Sequence, residues 1–253
     1  MKNLSKTLIL TGVIAALLPL SCKNSPQDKT ANSKSEAIQW VDPLIGTADH
    51  GHVYPGATVP FGMVQLSPDN GTAGWDWCSG YNYIDSVILG FSHTHLSGTG
   101  IGDLYDIQLM PSSKAHGFGY PVGAMKDSPY AQRFDHVDET ASPGFYSVKL
   151  EDGLEVELTA SKRVGFHRYT FPQGATSPTV LLDLGFALNW DRPTETRIEV
   201  VDKQNIRGVR KSTGWARDQH VFFSMQFSRP AAVYQLSDSS QVIKSKVTKG
   251  KQS

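Results

Sequence analysis

From Phe145 to Ala160 the chain alternates apolar and polar residues with a period of two. Tyr146, Val148 and Leu150 fall on one face, and Leu154, Val156 and Leu158 on one face of the run that follows, while Glu155, Glu157 and Thr159 turn away. Asp152-Gly153 stands between the two runs. The pattern predicts a β-hairpin closed by a type I′ turn, which needs positive φ at both turn residues. Shorter strand-like runs lie at Met63–Leu66, Ser86–Thr94, Asp106–Met110, Val164–Phe171, Thr179–Leu184, Arg197–Val201, His220–Phe227 and Ala232–Leu236. Val242 to Val247 alternates again before a short basic tail. No window of eleven or more residues after residue 40 keeps a 3.6 period, and the one helical suggestion is short, near Ser128–Phe134. Short strands parted by Gly, Pro, Asn and Asp clusters predict an all-β fold, a β-sandwich.

The N-terminus reads as an address. Lys2 and Lys6 precede an apolar run from Leu8 to Leu18, too short for a membrane span of about 20 residues. Leu20-Ser21-Cys22 follows, similar to a bacterial lipobox, so residues 1–22 are expected to be a lipoprotein signal peptide with Cys22 the acylated mature N-terminus. Ordinary secretion with Cys22 unmodified is the alternative. Two or three acyl chains would hold the protein on a membrane, each buried CH₂ adding roughly 0.8 kcal/mol. Residues 23–37, KNSPQDKTANSKSEA, have no aromatic and no Leu, Ile or Val, the composition of a disordered tether. The β-sandwich is expected over residues 38–253. Lys23-Asn24-Ser25 offers no acidic cluster of the surface-export kind, so the expected location is the outer membrane, facing the periplasm, with the cell surface as the alternative.

With 24 basic and 24 acidic residues the net charge is zero, which excludes a basic nucleic-acid footprint at the level of the whole chain. With 39% apolar and 19% charged residues, most of the chain should fold. With Cys22 lipidated, Cys78 has no disulfide partner, and the core must be sufficient by itself.

Candidate chemistry concentrates in residues 42–111. Gly74-Trp75-Asp76-Trp77-Cys78-Ser79-Gly80-Tyr81-Asn82-Tyr83 interleaves large rings with polar groups, the kind of surface on which sugars stack their C–H faces and hydrogen-bond their hydroxyls. A strand with Trp75 and Trp77 on opposite faces, one in the core, is the plainer alternative. His93 and His95, at i and i+2, share a face if their strand continues. A zinc site needs three or four ligands and nothing brings His50 and His52 to them, so hydrogen-bonding histidines that line a polar cleft are expected. The glycines at 98, 100 and 102 lack the P-loop Lys-Ser/Thr and the G-x-G-x-x-G spacing, and are read as a loop that passes close to a ligand or another segment. Ser79 and Ser97 have no G-x-S-x-G context. Asp69, Asp76, Asp103 and Asp106 could in principle supply a glycosidase pair, but sequence does not give the separation such a pair needs.

Four ordered motifs fill residues 41–111: Val41-Asp42-Pro43-Leu44-Ile45-Gly46-Thr47, the run YPGATVPFGM from Tyr54 to Met63, the Gly74–Tyr81 cluster, and FSHTHLSGTG from Phe91 to Gly100 with Asp103 and Asp106 behind it. Together they resemble the opening of glycoside hydrolase family 92, bacterial exo-acting α-mannosidases that are often lipoproteins or secreted. The resemblance implies an N-terminal β-sandwich paired with a C-terminal (α/α)6 helical barrel and an active site between them. It implies inverting, calcium-dependent hydrolysis of terminal α-mannosides of glycans. The general acid (Glu), the general base (Asp) and most calcium contacts come from the helical domain. The N-terminal domain lends cleft residues, among them a tryptophan that packs against the sugar and resembles Trp75. Trp77 and Tyr81 lie nearby, and His93, His95, Gly98, Thr99, Gly100 and Asp103 match the motif facing the domain junction.

The 253 residues hold no helical domain. The polypeptide alone is therefore expected to carry no catalytic residue and not to hydrolyse mannosides, the (α/α)6 domain or a second chain completing the site. Two rival readings are a non-catalytic envelope lipoprotein that binds mannose-containing glycans, and a structural domain in which Trp75 is buried against a partner. Sugar affinity in the isolated domain separates them.

Overall fold

The computed structural model describes residues 37–71, 74–114, 130–188, 191–232, 234–237 and 242–245, and the described elements belong to the unit Ile38–Ser253. They are strands, joined by one turn of 3-10 helix at Trp75–Trp77. The first sheet runs in the order β1 (Ala57–Thr58), β2 (Gln65–Asp69), β4 (Gly90–Ser92), β5 (Gln108–Ser112) and β10 (Thr179–Asp183). The second runs β3 (Val87–Ile88), β6 (Gln132–Ser142), β7 (Phe145–Leu150), β8 (Glu155–Ala160) and β9 (Gly165–Thr170). A third holds β11 (Arg192–Val200), β12 (Asn205–Thr213) and β13 (Gln219–Gln226), and β14 (Tyr234–Ser237) pairs with β15 (Val242–Ser245). Every described pairing is antiparallel.

The core is a sandwich core. Ala57, Leu66, Phe91 and Met110 of the first sheet pack with Ile88, Tyr146, Val148, Leu150, Val156 and Leu158 of the second. Each large side chain fully buried in this way contributes roughly 1.5–3 kcal/mol. The alternating faces of the hairpin from Phe145 to Ala160 are those the sequence predicts, with Tyr146 paired to Leu158 and Val148 to Val156.

Its turn differs from the prediction. Leu150 N donates to Leu154 O at 2.8 Å and Gly153 N to Leu150 O at 2.8 Å, which makes a three-residue loop. Gly153 alone takes a positive φ, 85°, while Asp152 Oδ1 accepts from Leu154 N at 3.1 Å. This is a type I turn followed by a left-handed glycine, which needs only one residue at positive φ. The helix suggested near Ser128–Phe134 is also corrected. Ser128 and Pro129 lie outside the described residues, and Gln132–Phe134 open β6. The run Ser86–Thr94 divides into β3 and β4, which enter different sheets, and Leu89 N at the break donates to Asp69 O at 2.7 Å. Residues 1–36, with the expected signal peptide, Cys22 and nearly all of the tether, lie outside the described residues.

Candidate functional site

The motif segment sits where the sheets meet, because its chain passes from the second sheet into the first at Leu89. Asp69, at the end of β2, organises the interior of this region. Asp69 Oδ1 lies 2.8 Å from His95 Nε2, and Asp69 Oδ2 accepts from Ser92 Oγ at 2.5 Å and Gln108 Nε2 at 2.9 Å. His95 Nδ1 lies 2.7 Å from Gln65 O, so its ring is fixed between two acceptors. Gly80, at φ 87°, passes close over this pair: a Cβ there would lie 2.7 Å from Asp69 Oδ1 and 2.9 Å from the His95 ring.

A second buried network ties in the third sheet. Arg210 of β12 is 0% exposed. Its Nη1 donates to Asp106 Oδ1 at 2.8 Å, its Nη2 to Asp191 Oδ2 and to Phe186 O at 3.0 Å, and its Nε to Leu184 O at 3.2 Å. Asp106 Oδ2 also accepts from Thr94 Oγ1 at 2.8 Å and Gln219 Nε2 at 2.9 Å. Burial pushes the Asp191 carboxyl up to about 6, with the Arg210 guanidinium pulling the other way. Asp103 is a staple rather than a sugar contact. It is buried, with Oδ1 taken by Leu104 N at 2.8 Å and Oδ2 by Ala216 N at 3.0 Å.

Three further expectations change with the geometry. Tyr81 is 1% exposed and belongs to the core, its hydroxyl donating to Glu139, so it offers no ring to a sugar. Trp77 is partly buried, with Nε1 donating to Asp85 Oδ2 at 2.5 Å. His93 and His95 do not share a strand face, because β4 ends at Ser92. His93 instead turns to the second sheet, where its Nε2 lies 3.2 Å from His167 Nε2, while its Nδ1 lies 2.7 Å from Ile107 O. Tyr169 Oη stands 2.8 Å from His167 Nδ1 and completes a chain of polar groups between the sheets.

That chain predicts a pH dependence. Burial holds both imidazoles below the usual histidine range, His167 the further of the two. The unfolded chain takes up these protons near pH 6.5 and the folded chain does not, so the unfolded state binds more protons below that pH and stability falls as pH falls. Asp191 acts in the opposite sense: its raised carboxyl loses stability as pH rises from about 4 to about 6. The check is therefore a difference. The thermal midpoint of the wild type relative to His167→Phe is expected to drop between pH 7 and pH 5, and a constant difference would contradict the assignment.

What remains at the surface is a small set around Trp75, which is 57% exposed. Gly98 and Thr99 are exposed, and Gly100, at φ 66°, lies against the indole: a Cβ there would stand 2.8 Å from Trp75 Nε1. Alanine at position 100 would thus meet both the ring and an unfavourable backbone. Two histidine rings also adjoin the indole: His50, with ring centroids 5.2 Å from Trp75, and His52, at 4.1 Å with planes 83° apart. His50 Nδ1 donates to Asp76 Oδ1 at 2.5 Å, which raises the His50 pKa. Of the sequence-predicted contacts, the structure thus brings together Trp75, Gly98, Thr99 and Gly100. Sequence reasoning missed Arg210 as an anchor; it weighed His50 and His52 only as metal ligands, and Asp76 both as a polar member of the aromatic cluster and as an acid.

The family resemblance implies calcium bound mostly by the helical domain. Among the described residues no three His, Cys, Asp or Glu side chains come together to hold a metal ion, and the Asp69 and Asp106 carboxylates are occupied by protein donors.

A β-sandwich that presents one tryptophan between a glycine loop and a His-Asp pair has the make-up of a carbohydrate-handling domain. Residues 40–253 match the family model of the glycosyl hydrolase family 92 N-terminal domain, and the chain belongs to that family. The solved structure of the family GH92 alpha-mannosidase BT3965 from Bacteroides thetaiotaomicron is 35% identical, with a TM-score of 0.73 over 79% of this chain and 26% of that one. The inverting mannosidase BT2199 from Bacteroides thetaiotaomicron VPI-5482 is 26% identical, with a TM-score of 0.64 over 82% of this chain and 27% of that one. An uncharacterized secreted glycosidase of Arthroderma benhamiae is 28% identical over 162 residues, 61% of this chain and 20% of its own length. The chain thus spans about a quarter of the solved mannosidases it matches, and a fifth of the glycosidase.

Proposed function

We propose that this domain forms one wall of the substrate cleft of an α-mannosidase, holding a terminal α-mannoside while an acid and a base from another domain cleave it with inversion. The observation that carries this reading is Trp75, a large ring kept in solvent and pressed onto Gly100. The family, and relatives that are mannosidases, one of them inverting, support the substrate class. The division of labour is supported by the motif carboxylates: Asp69, Asp103 and Asp106 are buried and committed to protein donors, so they serve the scaffold. An inverting mechanism needs two carboxyl groups around one water. Export and a lipid anchor at Cys22 belong to the same reading, supported by the sequence alone.

The test uses the whole chain. α-Mannobiose is expected to bind with saturation in an NMR titration and to be left uncleaved. Trp75→Ala is expected to weaken binding about tenfold, since a lost aromatic stack of roughly 1.5 kcal/mol corresponds to that factor. Wild-type and Trp75→Ala proteins of equal affinity would remove the basis of the proposal, as would mannose release by the chain alone for its division of labour.

A further inference from the structure

The proposed role of Trp75 leaves its neighbour His52 unused. The His52 side chain is 6% exposed, and its Nε2 is buried without a hydrogen-bond partner. An unpaired buried polar atom is destabilising, because it has given up its water without a protein partner. Asp76 Oδ1 does not relieve it: that oxygen lies 3.8 Å away and already accepts from His50 Nδ1. The ring is also held in place. His52 adopts φ 53°, its carbonyl accepts from Gly98 N at 2.6 Å, and its imidazole packs edge-on against Trp75. Non-glycine residues in this backbone region are strained and persist where the surroundings over-determine them. Strain and an unmet hydrogen bond thus fall on one residue, beside the exposed indole and the glycine loop.

We infer that His52 Nε2 is the hydrogen-bond partner of a sugar hydroxyl seated on the Trp75 ring, which makes His52 a specificity-determining residue of the site. The inference rests on the mannoside-binding reading above. An imidazole nitrogen donates or accepts according to tautomer, and a hydroxyl does both, so the bond forms in either state. A water could also satisfy the nitrogen, but it would not discriminate between sugars. A site built to bond a hydroxyl rejects the analogue that lacks it, because the protein group is then left unpaired. Asp76, bonded to His50 on the far side of the pair, holds the polar edge of the site together.

The experiment is an NMR titration of the whole chain with α-mannobiose and its monodeoxy analogues, on the wild type, His52→Leu, His52→Gln and Trp75→Ala. One analogue is expected to bind the wild type about tenfold more weakly than the parent sugar. His52→Leu is expected to bind the parent about tenfold more weakly and to lose the distinction between the two. His52→Gln, which keeps a polar N–H, is expected to recover part of it. Thermal melts establish that each variant is folded; should His52→Leu fail to fold, loss of the same discrimination is read from His52→Asn, which tolerates the left-handed backbone but is too short to reach the hydroxyl, with His52→Gln still expected to recover part of it. If Trp75→Ala weakens binding while the His52 variants rank the analogues as the wild type does, the His52 inference is overturned and the mannoside reading stands. If the wild type shows no saturable binding to any of these sugars, both fall.

Discussion

Arg210→Ala is expected to destabilise the domain by about 3–5 kcal/mol, the range for removing one member of a buried ion pair. The guanidinium is fully buried, and it serves two carboxylates and two carbonyls at once. Without it, Asp106 and Asp191 lose their shared cation inside the protein, and the carbonyls of Leu184 and Phe186 lose a donor. The damage should reach the candidate site, since Asp106 also fixes Thr94 and Gln219. Lysine at this position keeps the charge but not the planar fork, so Arg210→Lys should recover only part of the loss. Urea unfolding of the three proteins measures both effects. A loss below about 1 kcal/mol, the level of an exposed pair, would show that Arg210 does not bind the third sheet to the motif loop.

The second large effect is expected at Glu139, on the other side of the sandwich. Its buried carboxylate accepts from Tyr81 Oη at 2.8 Å and Tyr146 Oη at 2.6 Å, and lies 2.8 Å from His136 Nδ1. Both phenols are held well above their usual pKa, first by burial and then by the Glu139 charge, so they remain donors. Glu139→Leu leaves two buried hydroxyls unpaired, at about 1–3 kcal/mol each, and a total loss of about 2–6 kcal/mol is expected. The mechanism predicts its own rescue. Combined with Tyr81→Phe and Tyr146→Phe, the same substitution should cost markedly less, because removing both partners of a hydrogen bond is far cheaper than removing one. Denaturant unfolding of the single, double and triple variants tests this, and simple additivity would count against it.

The fold was legible wherever one strand face is buried and the other wet. The hairpin from Phe145 to Ala160 keeps strict alternation because its inner face meets the first sheet across the core. β12 escaped notice because Gly208 interrupts the pattern and its most buried side chain is an arginine, which reads as a solvent residue until its carboxylates are in view. β6 escaped because it is largely polar, QRFDHVDETAS, with only Phe134 and Glu139 buried, and its register with β7 shifts between those two residues. At the candidate site, composition picked out the aromatic cluster but not the fate of each ring. Trp75 and Tyr81 are alike in sequence terms. What separates them is Glu139, 58 residues beyond Tyr81, which draws that phenol inward. The sequence offered His52 only as a metal ligand, because an unpaired nitrogen and a left-handed backbone exist only in three dimensions.

All six non-glycine residues with positive φ among those described, Asp49, His52, Phe61, Leu104, Tyr105 and Ile107, lie in the segment that carries the family motifs. A β-branched residue such as Ile107 is rare in that region of backbone space. Selection for heat tolerance in the laboratory, blind to sugar, would find its easiest gains by placing glycine or asparagine at Asp49, His52 and Phe61, whereas the buried Tyr105 and Ile107 would leave cavities. The fold would survive such a campaign, and recognition would be the first property eroded.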